Sequence, residues 1–350
     1  MIYFCPDVLY KTLSNMNEFI KKSILNALNI NLGYKDGDRV GIVYQEINDK
    51  FDEKTKEKMR PSIELSKTMY EIYKSEGIDA ELLFYVPEEA RNGTDATEDL
   101  YEKTGYRDIL FLTTAFSLTH TRYRKTQTEK GTRIASMPGF TLKMFDKDGP
   151  MDVDYNEIHR ITCETAEKLS NARFVRVRAE GTDITVEIDS GLVHISSGML
   201  NSKGKFGNLP GAEAYVVPIY EGDSNGYITI PEGWGGSEPL PFSLRFEIKK
   251  GRFVKVSADE GRADEYIKKS IYPLLFEKEN FNVLAEVAIG TNKNITEKYI
   301  KENGWSTLIA EKIWNTAHFA NGNSKGMGGT NDVPVHIDWV VPKAVIEYLK

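Results

Sequence analysis

The spacing of apolar residues changes midway along the chain, and no single layer of secondary structure can bury both patterns. In the first half, Asp36-Gly37-Asp38 signals a turn, and residues 39–44 (Arg-Val-Gly-Ile-Val-Tyr) then read as a buried strand. Ile63, Leu65, Met69, Ile72 and Tyr73 recur at helical spacing before Gly77, which offers a C-cap. Residues 80–86 and 108–113 read as further strands. A charged helix over 121–130 leads through Gly131 into a fourth strand at 132–135. Strands alternating with helices imply a parallel, helix-covered sheet.

A connector helix over about 154–169 closes this half. Beyond it, residues 174–178, 184–188, 242–248 and 253–256 alternate apolar with polar or charged side chains. Period-two alternation broken by Gly and Asp turns marks antiparallel sheet with one wet face. The stretch from Gly222 to Gly236 has no glycine fingerprint between a strand and a helix, and reads as a loop. The expected fold class is α/β plus α+β. An N-terminal open parallel-sheet α/β domain spans 1–170, and a C-terminal β-rich domain with a curled or barrel-like sheet spans 171–350. A chain of 350 residues is long enough to give each its own core.

A formal net charge of −7 argues against a duplex nucleic-acid partner, which demands a positive face. No window approaches the apolar length of a bilayer span, and Met1 to Asp7 shows no secretory pattern, so a cytoplasmic protein without a membrane partner is expected. Cys5 and Cys163 are too few for a disulfide framework or a thiolate zinc site. Cys163 has no adjacent base in sequence, which argues against a nucleophilic role.

The chemistry concentrates near the C-terminus. Val335-His336-Ile337-Asp338-Trp339 reads as a strand, in which residues two apart share a face, so His336 and Asp338 stand side by side as a divalent metal requires. A hydrogen-bonded surface pair has the same spacing. His318 precedes a glycine-rich run, Asn321 to Gly329. Glu213 and Glu286 sit within apolar segments, where a carboxylate is costly to bury without a cation or hydrogen-bond donor. A sheet-edge glutamate, or one paired with Arg245, is the structural alternative. His120 and Arg122 follow a strand of the parallel sheet, where open α/β sheets place binding groups, and are candidates for substrate contact. Arg124 and Arg133 could steer an anionic substrate or simply be solvated. His159 and His194 read as structural. Trp234, Trp314 and Trp339 line a pocket or pack the core.

These residues fall in the order Asn-Leu-Pro-Gly-x-Glu (208–213), Ala-Glu-x-x-Ile-Gly-Thr-Asn (285–292), Glu-Lys-x-x-x-Thr-x-His (311–318) and His-x-Asp (336–338). That order resembles the thermophilic leucyl aminopeptidase (aminopeptidase T) family of metallopeptidases. Residues 181–185, 119–122 and 131–139 add to the likeness. The resemblance implies an N-terminal α/β domain, a β-rich catalytic domain and a homodimer. It also implies two divalent ions (Zn, Co or Mn) held by Glu213, Glu286, His318, His336 and Asp338, with Glu213 and Glu286 as catalytic carboxylates. The implied reaction is cleavage of an amide or peptide bond in a short peptide or small molecule by a water whose pKa the ions lower. No organic cofactor is expected.

Two features depart from the family. It carries a tyrosine seven residues after the first ligand histidine, where this chain has Lys325, and its aminopeptidases are longer. A second reading is therefore a mononuclear Fe(II) ring-cleaving dioxygenase of the 2,5-dihydroxypyridine type, using His318, His336 and Asp338. In that relative, histidine stands at the position of Glu286 and the glutamate matching Glu213 is absent. A third reading is a non-catalytic, metal-stabilised binding protein.

Overall fold

The computed structural model describes residues 18–258, 261 and 263–350; Cys5 and the stretch Met1 to Asp7 lie outside them. The chain divides into two compact units, Met1–Tyr155 with Gly198–Gly211, and Asn156–Ser197 with Ala212–Lys350. The boundary read near residue 170 coincides with the end of the connector helix, Tyr155–Ser170. The structure assigns nearly all of that helix to the second unit and returns 198–211 to the first.

In the first unit, β1 (Val40–Gln45), β2 (Ala80–Tyr85), β3 (Ile109–Leu112), β4 (Arg133–Ser136) and β7 (Phe206–Asn208) form a five-stranded sheet in the order β2-β1-β3-β4-β7. Every pairing is parallel. Every residue of β1, β3 and β4 is buried, as helices on both faces require. Of the helices α1 (Glu18–Asn26), α2 (Glu53–Ser75), α3 (Glu98–Thr104) and α4 (Arg122–Glu129), the longest is α2. The Asp52 carboxylate caps it, accepting from the Thr55 amide at 2.8 Å. Its Leu65, Met69 and Ile72 are fully buried, which is the stripe read from the sequence. The three-residue β7 was not legible, because a strand so short shows no alternation.

The second unit opens with α5 (Tyr155–Ser170) and is otherwise dominated by one antiparallel sheet. Its strands are β5 (Phe174–Ala179), β6 (Thr182–Ser196), β8 (Glu213–Pro218), β9 (Asn225–Ile230), β10 (Leu244–Lys249), β11 (Arg252–Ser257), β12 (Leu284–Gly290), β13 (Ala317–Gly322), β14 (His336–Val341) and β15 (Val345–Leu349). The main path runs β11-β10-β9-β6-β8-β12-β13-β14, with β5 joining β6 to β15. The long β6 serves two groups of partners. It pairs with β5 and β9 early and with β8 late, and its register with β8 shifts between Ile188 and Val193. Such an irregularity bends a strand, so the sheet curls as expected of the β-rich half.

One face of this sheet is the core. Val216, Val287, Ile289, Phe319, Trp339 and Val341 belong to one buried apolar cluster, and burying each large side chain contributes about 1.5–3 kcal/mol. The alternating partners of these residues therefore share the other face.

The stretch 222–236, read as a loop, contains β9, with Ile228 and Ile230 fully buried. Its pattern is obscured by Gly226, whose place in a strand has a steric cause. A Cβ there would lie 2.3 Å from the Asp183 carbonyl oxygen. No described helix is long and apolar enough to cross a membrane.

Candidate metal centre

Strand register assembles the site. Across β8, β12, β13 and β14, Tyr215 pairs with Ala288, Ala288 with His318, and His318 with Val340. In the adjacent rows Glu213 pairs with Gly290, while Glu286 pairs with Ala320 and Ala320 with Asp338. Gly322 pairs with His336. Residues two apart share a face, so the long side chains of Glu213, Glu286, His318, His336 and Asp338 stand on one surface floored by Gly290, Ala288 and Ala320. Small residues in the floor leave room for the functional groups to converge.

They converge as two groups. Glu286, His336 and Asp338 offer ligand atoms all within 4.8 Å of one another, and so do Glu213, Glu311 and His318. Glu286 joins the groups: its Oε1 is 3.3 Å from His318 Nε2 and its Oε2 is 3.4 Å from His336 Nε2. His336 Nε2 also lies 3.3 Å from Asp338 Oδ1. His336 Nδ1 is 2.7 Å from the Asn323 carbonyl oxygen, which can only accept. Nδ1 therefore carries a proton, which fixes the ring with Nε2, the nitrogen open to an ion, toward the carboxylates, as outer hydrogen bonds do for metal-ligating histidines.

Glu311 and Lys312 were quoted in a motif but given no role, and the fold puts both in the site. Lys312 is fully buried, with Nζ 2.5 Å from Glu213 Oε1 and 2.6 Å from Glu311 Oε1. Gly290 permits this approach. A Cβ there would lie 2.1 Å from the Ile313 carbonyl oxygen and 2.8 Å from that of Glu311. The signal was a Glu-Lys pair inside a run that must be buried to reach His318.

Burial alone would raise the Glu286 carboxyl, but hydrogen bonds from His318 and His336 hold it below the usual carboxylate range. Burial likewise opposes the charge on His318, yet Glu286, Glu311, Glu213 and Asp338 outweigh it and bring the imidazole up to about 9. Glu311 is pushed up to about 7, by burial first and by Glu213 and Asp338 against the pull of Lys312. Without an ion, protons on the histidines balance the carboxylates.

The donors fit a divalent cation. Glu213 Oε2 is buried and accepts no hydrogen bond, while facing His318 Nε2 across 3.6 Å. A buried carboxylate oxygen without a donor is costly unless a cation meets it. Imidazole nitrogen and carboxylate oxygen without thiolate suit zinc, cobalt, manganese or iron. The structural alternatives for Glu213 do not hold. It lies in an interior strand of the sheet, paired with Lys312, and Arg245 stacks over the Tyr227 ring instead.

Other candidates stand elsewhere. His120 is exposed in the turn before α4. Arg122 is held by Asp95, Glu98 and Tyr101. Arg133 is buried against Asp38 and the carbonyls of Leu32 and Gly33, and so braces the fold. Trp339 packs in the core, whereas Trp234 and Trp314 line a cavity of about 280 Å³ with Pro342 and Val345. Cys163 does have a neighbouring base, contrary to the sequence reading. Helical spacing brings His159 Nε2 within 3.6 Å of its sulfur. Burial nevertheless pushes the thiol up, away from the thiolate.

Two solved structures share the fold. 2,5-Dihydroxypyridine dioxygenase from Pseudomonas putida KT2440 superposes with a TM-score of 0.71 at 13% identity, covering 95% of this chain and 94% of that one. AmpT from Thermus thermophilus superposes with a TM-score of 0.62 at 15% identity, covering 95% of each. In sequence, Aminopeptidase AmpS of Bacillus subtilis (strain 168) is 27% identical over 155 residues, or 43% of this chain and 36% of that relative. The match thus spans about a third of the relative's length. Residues 96–344 match the model of the thermophilic metalloprotease (M29) family, a span that takes in every ligand-like side chain described above. The chain belongs to the thermophilic metalloprotease (M29) family.

Proposed function

We propose that the protein is a metal-dependent, aminopeptidase-like hydrolase that cleaves an amide bond in short peptides or aminoacyl amides. The observation that carries this reading is the set of buried carboxylates around two histidines, with Glu286 facing both imidazoles and Glu213 Oε2 left without a donor. In this reading Glu286, His336 and Asp338 would hold one ion, and Glu213, Glu311 and His318 would hold a second. Divalent ions held there polarise a carbonyl and lower the pKa of water.

The chain's own groups do the rest. Lys312 holds Glu213 and Glu311 in place, so the carboxylates need not reorganise when substrate arrives. The Asn323 carbonyl fixes the His336 ring. Glu213, which faces His318, and Glu286, which faces both imidazoles, are the candidates to take a proton from water and pass it to the departing amine.

The fold likeness to a dioxygenase favours one second reading, a single Fe(II) on His318, His336 and Asp338. Reconstitution with zinc, cobalt, manganese or iron separates the two, followed by assay on aminoacyl p-nitroanilides and by oxygen uptake with dihydroxypyridines. Turnover of the anilides with zinc, cobalt or manganese supports the hydrolase. Oxygen uptake with iron alone overturns it.

A further inference from the structure

The loop position at which the resembled family has tyrosine is Lys325, and the structure turns that side chain away from the chemistry. Lys325 begins a short 3₁₀ turn, 65% of its side chain is accessible, and it is ion-paired with Asp332. Amide hydrolysis at the proposed site still calls for a neutral donor to the carbonyl oxygen, because charge develops there as the carbonyl is attacked.

Tyr215 stands on the same face of the sheet as the candidate ligands. It lies two residues after Glu213 on β8, so both side chains share a face. It pairs directly with Ala288, whose other neighbour is His318, so only a methyl group separates the two rings within that row of the sheet. On its far side the phenol ring stacks on His194 at 4.8 Å and 19°. His194 is anchored in turn by Nε2, which donates to the Met327 carbonyl oxygen at 2.8 Å, within the loop that carries Lys325. The ring is thus clamped.

We infer that Tyr215 is a catalytic residue of the proposed hydrolase, its hydroxyl donating a hydrogen bond to the substrate carbonyl oxygen in place of the loop tyrosine. The inference rests on the hydrolase reading. In the step, the water oxygen bonds the amide carbon while the carbonyl π pair moves onto oxygen, where the phenol O–H meets it. Collapse returns that pair, breaks the C–N bond and releases the amine with the proton that water gave up. Tyr215 keeps its own proton throughout.

The test compares the metal-loaded wild type with Tyr215→Phe and Lys325→Ala on leucine p-nitroanilide, with metal content and melting temperature measured for each. Tyr215→Phe is expected to lose about a hundredfold in kcat, with KM within about threefold and metal content unchanged. Lys325→Ala is expected to keep kcat within about threefold. A readout independent of turnover uses 3-fluorotyrosine at position 215, whose ¹⁹F resonance should shift when a leucine phosphonate, a tetrahedral mimic, binds. An active wild type with full kcat in Tyr215→Phe, or a silent ¹⁹F resonance on phosphonate binding, overturns the inference and leaves the hydrolase reading standing. If Tyr215→Phe does not fold, the ¹⁹F response alone decides. A wild type that turns over no anilide with any metal overturns both.

Discussion

Glu286 divides its carboxylate between two histidines from different strands, with Oε1 3.3 Å from His318 Nε2 and Oε2 3.4 Å from His336 Nε2. Two side chains that approach one carboxylate from opposite ends leave a position on either side of it. In the proposed two-ion reading, Glu286 would be a ligand close to both groups. Glu286→Gln keeps the shape and removes the charge. It should lower metal affinity by more than about a hundredfold, since even outer-shell changes reach that range. Competition with a chromophoric chelator measures this, and unchanged affinity would contradict that ligand role.

Lys312 is the only side chain within ion-pair distance of both Glu213 and Glu311 among the described residues. Lys312→Met should therefore cost the metal-free protein about 3–5 kcal/mol by leaving buried charge uncompensated. Adding Glu311→Gln should recover part of that loss, because one of the two stranded charges goes with it. Urea unfolding of the single and double variants checks both figures. A cost below about 1 kcal/mol for Lys312→Met would mean the buried ammonium does not hold the site together.

The metal-free site binds protons that an ion must displace. In the folded protein His318 is raised to about 9 and Glu311 to about 7. A group whose folded pKa is raised stabilises the fold most below its unfolded value, and loses that contribution as pH climbs through the folded one. Metal-free protein should therefore melt at progressively lower temperature from about pH 5 to pH 9, and added zinc should flatten the trend. Metal affinity should rise over the same interval with proton release, read by calorimetry in buffers of different ionisation enthalpy. A pH-independent affinity would contradict protonation of these groups.

Gly290→Ala places a methyl group 2.1 Å from the Ile313 carbonyl oxygen, in the segment that delivers Glu311 and Lys312. Overpacking of this kind costs about 1–3 kcal/mol. The displacement falls on the Glu213–Glu311–His318 group and spares Glu286–His336–Asp338. Elemental analysis should therefore find the ion content of this variant reduced by one, with the other ion retained.

Much of this arrangement was open to sequence reading, because period-two logic governs it. His336 and Asp338 share a strand face by spacing alone, and the β-α-β-α rhythm of the first half is written in Val40, Ile42, Leu65 and Met69. What escaped depended on contacts between strands. Tyr215 is an ordinary aromatic until cross-strand pairing sets it beside Ala288 and His318. Lys312 has no evident role in the sequence until Gly290 lets its segment settle over the sheet. The strand β9 was hidden by the glycines around it, and the return of 198–211 to the first unit rests on β7, three residues pairing with β4.

The most direct test of the two-ion hydrolase is metal content per chain, by elemental analysis of protein purified without a metal-affinity tag or chelator. Close to two zinc, cobalt or manganese ions per chain is the result predicted. One iron per chain, or no metal even after reconstitution, would contradict it.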